Sequence, residues 1–195
     1  EADPDNWSLD PVRLEELLEQ HRPSVVMLVH VLGVPAQMDK ILPLKKKYGF
    51  FLLEDTCAAF GSAYHSCKVG IFGEMASIST YYGHQLPTVE GGVVFTDDKK
   101  LYSLLLMLRS HGWVANLDSE TRTEELEKYK MEDIGTNFVF PEAGYNFRFT
   151  DLLAFLGLRQ LERLDWMSAK RFDNHQLYKK LLGSRFQTQQ YDTET

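Results

Sequence analysis

Cysteine is nearly absent. Cys57 and Cys67 are the only two in 195 residues, so nothing suggests a disulfide framework, and a reducing cytoplasm is the expected compartment. Excess positive charge is missing too: 21 Lys and Arg stand against 28 Asp and Glu, a formal charge of −7. That balance argues against a broad nucleic-acid surface, which needs clustered cations. The one basic run, Lys45-Lys46-Lys47, ends a helix-like segment, where cations complement the helix dipole. No apolar run is long enough to cross a bilayer, and no signal peptide is visible. The chain lacks an initiator Met and opens inside ordinary domain sequence, as a piece of a longer protein does. What is present is a hydrophobic content of 44%, normal for a globular core.

The pattern along the chain alternates strand and helix. Asp10-Pro11 is a helix start, with an N-cap followed by Pro at the first helical position. Leu14, Leu17 and Leu18 form one apolar face through Glu19, and Pro23 stops the helix. Val25 to His30 is a continuous apolar run suited to a strand buried on both faces. Gly33 and Pro35 make a turn, and a second helix follows from Met38 to Lys45, interrupted or bent near Pro43. Phe50 to Leu53 reads as another buried strand ending at Glu54-Asp55, which completes a βαβ unit with parallel strands. Two more strands are expected at Met75 to Tyr81 and Gly92 to Thr96. Asp97-Asp98 opens a helix ending at His111-Gly112. The stretch from about Leu117 to Phe138 is polar with weak periodicity and reads as a surface excursion. Helices are expected from Thr150-Asp151 to about Leu164 and from Ala169 to Leu182. The polar tail from Gln187 ends the chain, not the fold. The fold class is α/β with a mostly parallel sheet flanked by helices.

In such sheets ligands collect at the carboxyl ends of strands. Asp55 and His84 both stand where expected strands end. Taken alone, Asp55 reads as a capping or turn residue, Ser79 as a strand serine satisfied by local backbone, and His84 as a loop histidine. A strand-end carboxylate has one further use: a pyridine nitrogen stays protonated only beside a buried anion.

Read in order, several segments resemble one family. These are Val29 to Asp39, the Glu54-Asp55 signature running to Gly61, Gly70-Ile71-Phe72-Gly73, Ser77 to Gly92, Leu108 to Gly112, and Gly144-Tyr145-Asn146-Phe147-Arg148 leading to Leu161. Together they resemble the DegT/DnrJ/EryC1/StrS sugar aminotransferase family. The resemblance implies a type I aminotransferase-like large domain, present here in part. Residues 1–164 would belong to this pyridoxal-phosphate-binding domain, and residues 165–195 to a connecting helix and the start of a small C-terminal domain. It implies pyridoxal 5′-phosphate or pyridoxamine 5′-phosphate as cofactor, with Asp55 on the ring nitrogen, Ser79 on the phosphate, and Asn146 reaching the phosphate in the other subunit of a homodimer.

One change stands out against that family: His84 occupies the place of the cofactor lysine. An imidazole forms no stable Schiff base with an aldehyde cofactor, so the covalent tether is lost and the amine form becomes the working species. The base function survives, since a free His titrates near pH 6.5 and a free Lys near 10.4. This resembles the family's sugar 3-dehydratases, which implies elimination of a 3-hydroxyl from a nucleotide-linked 4-keto-6-deoxy sugar, with glutamate able to recharge the cofactor. No cysteine follows Cys67, which argues against an iron–sulfur cluster, and no metal site is expected. Where the family places Gln or an acid three residues after the Asp, this chain has Ala58, so a contact to the cofactor's phenolic oxygen is missing or comes from elsewhere. The family's N-terminal portion, with its phosphate-binding turn and stacking aromatic, has no counterpart here. Two other readings stay open. One is a sugar aminotransferase with Lys68, the only nearby lysine, recruited. The other is a catalytically silent homologue with a binding or regulatory role.

Overall fold

A computed structural model describes residues 1–130 and 138–191. It divides into two compact units, residues 1–95 with 151–195, and residues 96–150. No described helix is long and apolar enough to cross a membrane.

In the first unit, helix α1 (Pro11–His21) begins where the Asp10 carboxylate accepts from the Val12 and Arg13 amides and closes on Arg22 in a left-handed conformation, one residue before Pro23. Helix α2 (Met38–Tyr48) runs uninterrupted through Pro43. The bend expected there is not a break: the helix gives up only the one backbone hydrogen bond that Pro cannot donate. Strands β1 (Val25–Val29), β2 (Phe51–Asp55) and β5 (Met75–Ser79) are parallel neighbours, and β6 (Gly92–Phe95) pairs antiparallel with β5 at the sheet's edge. Between β2 and β5 lies a separate short hairpin, β3 (Ala63–Tyr64) with β4 (Cys67–Lys68). Leu14 and Leu18 of α1, and Met38, Ile41 and Leu44 of α2, bury Val26, Leu28 and Leu52 on one face of the sheet.

Strand β1 departs from its expected burial on both faces. Alternate residues are open, with Val25 51%, Met27 60% and Val29 42% exposed. Side chains alternate across a strand, and the apolar faces of α1 and α2 both pack against the Val26 and Leu28 side. Helices α5 (Asp151–Leu161) and α6 (Leu164–Leu182) complete the unit. The second of them starts five residues before the expected Ala169. The polar tail turns back: Gln189 is buried and its Nε2 donates to the carbonyls of Asn6 and Val31 at 2.7 and 2.9 Å. Residues 192–195 of that tail lie outside the described residues.

A buried pair of polar side chains was not foreseen. His30 and Glu54 are both fully enclosed, and His30 Nε2 donates to Glu54 Oε2 at 3.0 Å. The Ala36 amide donates to His30 Nδ1, so the hydrogen-bond pattern assigns the neutral tautomer with its proton on Nε2. The Glu54 carboxylate also accepts from the amides of Gly70, Phe72 and Gly73 at 2.6 to 2.8 Å. The sequence signal was available: an imidazole and a carboxyl stand at the ends of two neighbouring apolar strands.

The second unit holds α3 (Lys99–Leu108) and α4 (Ser119–Lys128). Helix α3 ends before the expected His111-Gly112. Helix α4 lies in the stretch read as a surface excursion with weak periodicity. Its start is fixed by Asp118, whose carboxylate accepts from the Thr121 amide, and Leu126 packs against the small core of Met107, Val114 and Leu117. Residues 131–137 of that stretch lie outside the described residues.

Burial alone would push the Glu54 carboxyl up, but the hydrogen bonds from His30, Gly70 and Gly73 hold it below the usual glutamate range. Its stabilising contribution is therefore complete above the unfolded value of about 4.3 and is lost as pH falls through the lowered folded value. Glu54→Gln should cost about 3 kcal/mol in urea unfolding at pH 7, and the difference from the parent should shrink in titrations carried toward pH 3. A midpoint unchanged by the substitution at pH 7 would refute this role.

Candidate active site

The register of the sheet brings Asp55 and Ser79 to one edge. Asp55 is the last residue of β2 and pairs with Ser77 of β5, two positions before Ser79 ends that strand. Side chains two apart share a face, so Asp55, Ser77 and Ser79 lie on the same side of the sheet as Val29, the side that α1 and α2 leave open. The Asp55 carboxylate accepts from the Cys57 amide at 2.9 Å. A carboxylate has about four lone-pair positions, so capacity remains for the N–H of a protonated ring. Ser79 Oγ accepts from the Tyr81 amide at 3.2 Å, which leaves its own hydrogen available to an anion such as phosphate.

His84 sits in the connection between β5 and β6. The ends of this loop are tied by backbone, Thr80 donating to the Gly91 carbonyl and Thr88 donating to that of Thr80. Both threonines are fully buried, and the Thr88 hydroxyl lies 2.7 Å from that of Thr80 and 3.1 Å from the Glu90 carbonyl. Inside this closed loop the His84 amide donates to the Tyr81 carbonyl, and the half-buried imidazole meets the Tyr81 ring edge-on at 6.1 Å. No hydrogen bond to the imidazole is found among the described residues. Next to it, Gln85 is buried and its Nε2 donates to the Ala58 carbonyl at 2.5 Å. The loop that carries His84 is thus joined to the loop that follows Asp55, at Ala58. Sequence reading passed over Gln85, Thr80 and Thr88; a polar residue directly before Leu86-Pro87 was the available cue.

Asn146 belongs to the second unit, where it is exposed and pairs with Ser110 through an isolated antiparallel bridge. Tyr145 exchanges backbone hydrogen bonds with Leu108 and His111, and the Phe147 amide donates to the Arg109 carbonyl. Two glycines allow this approach. A Cβ on Gly112, which has φ +83°, would collide with the Glu142 carbonyl, and one on Gly144 would collide with the Gly112 amide. The two motifs singled out separately in the sequence are therefore one packed element that presents Asn146. Lys68 lies on the short β3–β4 hairpin, its Nζ donating to the Gly61 carbonyl at 2.6 Å. No group of three or more His, Cys, Asp or Glu suited to a metal ion occurs among the described residues.

Burial, reinforced by the neighbouring Asp55 carboxylate, pushes the Cys57 thiol up to about 11. At pH 8 iodoacetamide should alkylate exposed Cys67 well before Cys57. Asp55→Asn should speed labelling of Cys57 by removing the charge that disfavours its thiolate. Peptide mapping that shows equal rates for Cys57 in both proteins would refute the proximity of charge. In the second unit, Gly112→Ala should cost about 2–4 kcal/mol and open the Tyr145 and Phe147 amides to hydrogen exchange; unaltered protection would count against the close packing.

The profile of the DegT/DnrJ/EryC1/StrS aminotransferase family matches residues 1–195. GDP-4-keto-6-deoxy-D-mannose 3-dehydratase of Yersinia pseudotuberculosis is 29% identical over 184 residues, covering 94% of this chain and 46% of that protein. GDP-perosamine synthase of Escherichia coli O157:H7 is 30% identical over 187 residues, covering 96% and 46%. Among solved structures, E. coli GDP-4-keto-6-deoxy-D-mannose-3-dehydratase with bound hydrated PLP superposes with a TM-score of 0.84 at 26% identity, over 98% of this chain and 50% of that one. The chain spans about half the length of the relatives it matches. With the profile matched from end to end and an aminotransferase-type α/β sheet behind it, the chain belongs to the DegT/DnrJ/EryC1/StrS family.

Proposed function

We propose that the protein containing this chain is a nucleotide-sugar 3-dehydratase dependent on pyridoxal or pyridoxamine phosphate, acting on a 4-keto-6-deoxy sugar in deoxysugar biosynthesis in the cytoplasm. The observation that carries the reading is the loop between β5 and β6. Its closure by Thr80 and Thr88 holds an imidazole, not an amine, at the strand-end edge that also bears Asp55 and Ser79. The donor set fits the cofactor: Asp55 offers an anion to the ring nitrogen, while Ser79, and Asn146 from the other subunit of a homodimer, offer donors to the phosphate. Bound there, the cofactor would supply an electron sink for cleavage of a bond beside the sugar's keto carbon. His84 would accept a proton at one imidazole nitrogen and return a proton to the departing 3-hydroxyl oxygen of the sugar. Residues 1–164 serve as part of the cofactor-binding domain, and 165–195 lead into the small domain.

A second reading, sugar aminotransferase, draws on the similar perosamine synthase. It requires an amine near the cofactor, and the ammonium of Lys68 is instead engaged by the Gly61 carbonyl on an exposed hairpin.

The intact protein, mixed with pyridoxal phosphate and treated with borohydride, should show bound cofactor by absorbance yet no covalent mass increase; a trapped adduct would overturn the His84 assignment. Turnover of a GDP- or CDP-linked 4-keto-6-deoxy sugar with glutamate should fall by about 100-fold or more in His84→Asn. Wild-type turnover in that variant would remove His84 from the chemistry.

A further inference from the structure

The His84 imidazole has no hydrogen-bond partner among the described residues, so neither ring nitrogen fixes its direction. A side chain in that condition is oriented by packing, or it samples several rotamers. The ring it meets is Tyr81, edge-on, with centroids 6.1 Å apart and planes at 69°. Such an aromatic pair favours one arrangement over others by roughly 2- to 10-fold.

Tyr81 directly follows the buried Thr80 that closes the loop, so its backbone starts from a fixed point. Its amide donates to Ser79 Oγ at 3.2 Å, and its carbonyl accepts from the His84 amide at 3.0 Å. The second bond closes a tight turn from Tyr81 to His84. The Tyr81 ring folds back across that turn. A Cβ on Gly83 would stand 3.2 Å from Tyr81 Cε1 and 3.4 Å from Cδ1, so the missing side chain leaves the ring its place. Gly83 is not in the left-handed region, so glycine serves space there and not backbone freedom. Tyr82 packs on the Tyr81 ring with centroids 4.2 Å apart. Hydrogen bonding to Tyr82 holds the Tyr81 phenol above its usual range, so the ring that meets the imidazole is neutral.

We propose that Tyr81 is a positioning residue of this site: its amide sets the side from which Ser79 Oγ accepts, and its carbonyl and ring set the direction of the His84 imidazole. Gly83 belongs to the same device, because it admits the ring. The proposal rests on the reading of His84 as the base. Tyr81 acts through Ser79 and His84 and not on the reacting atoms. Any residue at position 81 supplies the two backbone bonds, so a role in closing the turn needs no aromatic ring. What the ring adds is aim, and a displacement of about 1 Å can cost proton transfer about 100-fold in rate.

The test separates ring from backbone in the intact protein. Tyr81→Leu keeps both backbone bonds and removes the ring. With a GDP- or CDP-linked 4-keto-6-deoxy sugar and glutamate, its kcat should fall about 10-fold while KM stays within about 2-fold. Tyr81→Phe should recover most of kcat. Gly83→Ala crowds the ring without straining the backbone and should lower kcat as Tyr81→Leu does, which keeps the test open should Tyr81→Leu fail to fold. A readout free of turnover is NMR of histidine-labelled protein, with the His84 signals identified by their loss in His84→Asn. Three-bond couplings across χ1 of His84 should report one rotamer in the parent and in Tyr81→Phe, and an average over several in Tyr81→Leu and Gly83→Ala. Averaged couplings in the parent, or a single rotamer kept in both Tyr81→Leu and Gly83→Ala, overturn the proposal. Parent kcat in Tyr81→Leu overturns it too, where His84→Asn is inactive, and leaves the His84 reading standing. Turnover that survives His84→Asn overturns the His84 reading itself and the positioning role with it.

Discussion

One carboxylate organises the first unit. Glu54 is buried at the end of a strand and gathers four donors: an imidazole from the chain leaving β1 and three amides from the turn that enters β5. A buried charge without partners would be intolerable, so the turn at Gly70 to Gly73 folds as it does, presenting its amides inward. Gly73 packs so closely on the Leu52 carbonyl that a side chain there would collide with it. Asp55, the very next residue, faces the other way because strand side chains alternate. The same two-residue word thus supplies a structural anion on the covered face and a candidate cofactor anion on the open face.

Much of this was legible in the sequence. Asp10-Pro11 and Asp98 mark helix starts by a mechanism that is entirely local, and both helices begin where those residues place them. The strand end at Asp55 followed from an apolar run interrupted by polar residues, whereas β5 stops at Ser79, two residues short of the expected Tyr81. The misreadings share a physical cause, which is dependence on partners far away in sequence. β1 reads as a doubly buried strand because composition does not reveal that both packing helices lie on one side. Helix α4 has weak periodicity because only a few of its residues reach a small core, and its cap, not its apolar face, declares it. Gln85 looked unremarkable until the Ala58 carbonyl, 27 residues earlier, came within reach.

The second unit illustrates a different economy. Asn146 owes its place to backbone pairing between two short segments, and that pairing depends on Gly112 and Gly144 having no side chain. Gly112 and Gly144 stand 32 positions apart in the sequence, yet their motifs are one structural element, so they are expected to tolerate change only together. A family pattern that lists them separately is describing the two sides of a single contact.

The loop bearing His84 is closed by Thr80, Thr88, Gly91 and the Gln85–Ala58 hydrogen bond, and none of these involves the side chain at position 84. The closure of the loop is therefore independent of which base stands at position 84, although the His84 ring itself meets Tyr81 edge-on. An imidazole and an amine can be exchanged there without a folding cost comparable to that of a core substitution. Under the proposed chemistry, this separates the evolution of reaction type from the evolution of stability: group transfer and elimination would differ at a residue that takes no part in closing its own loop.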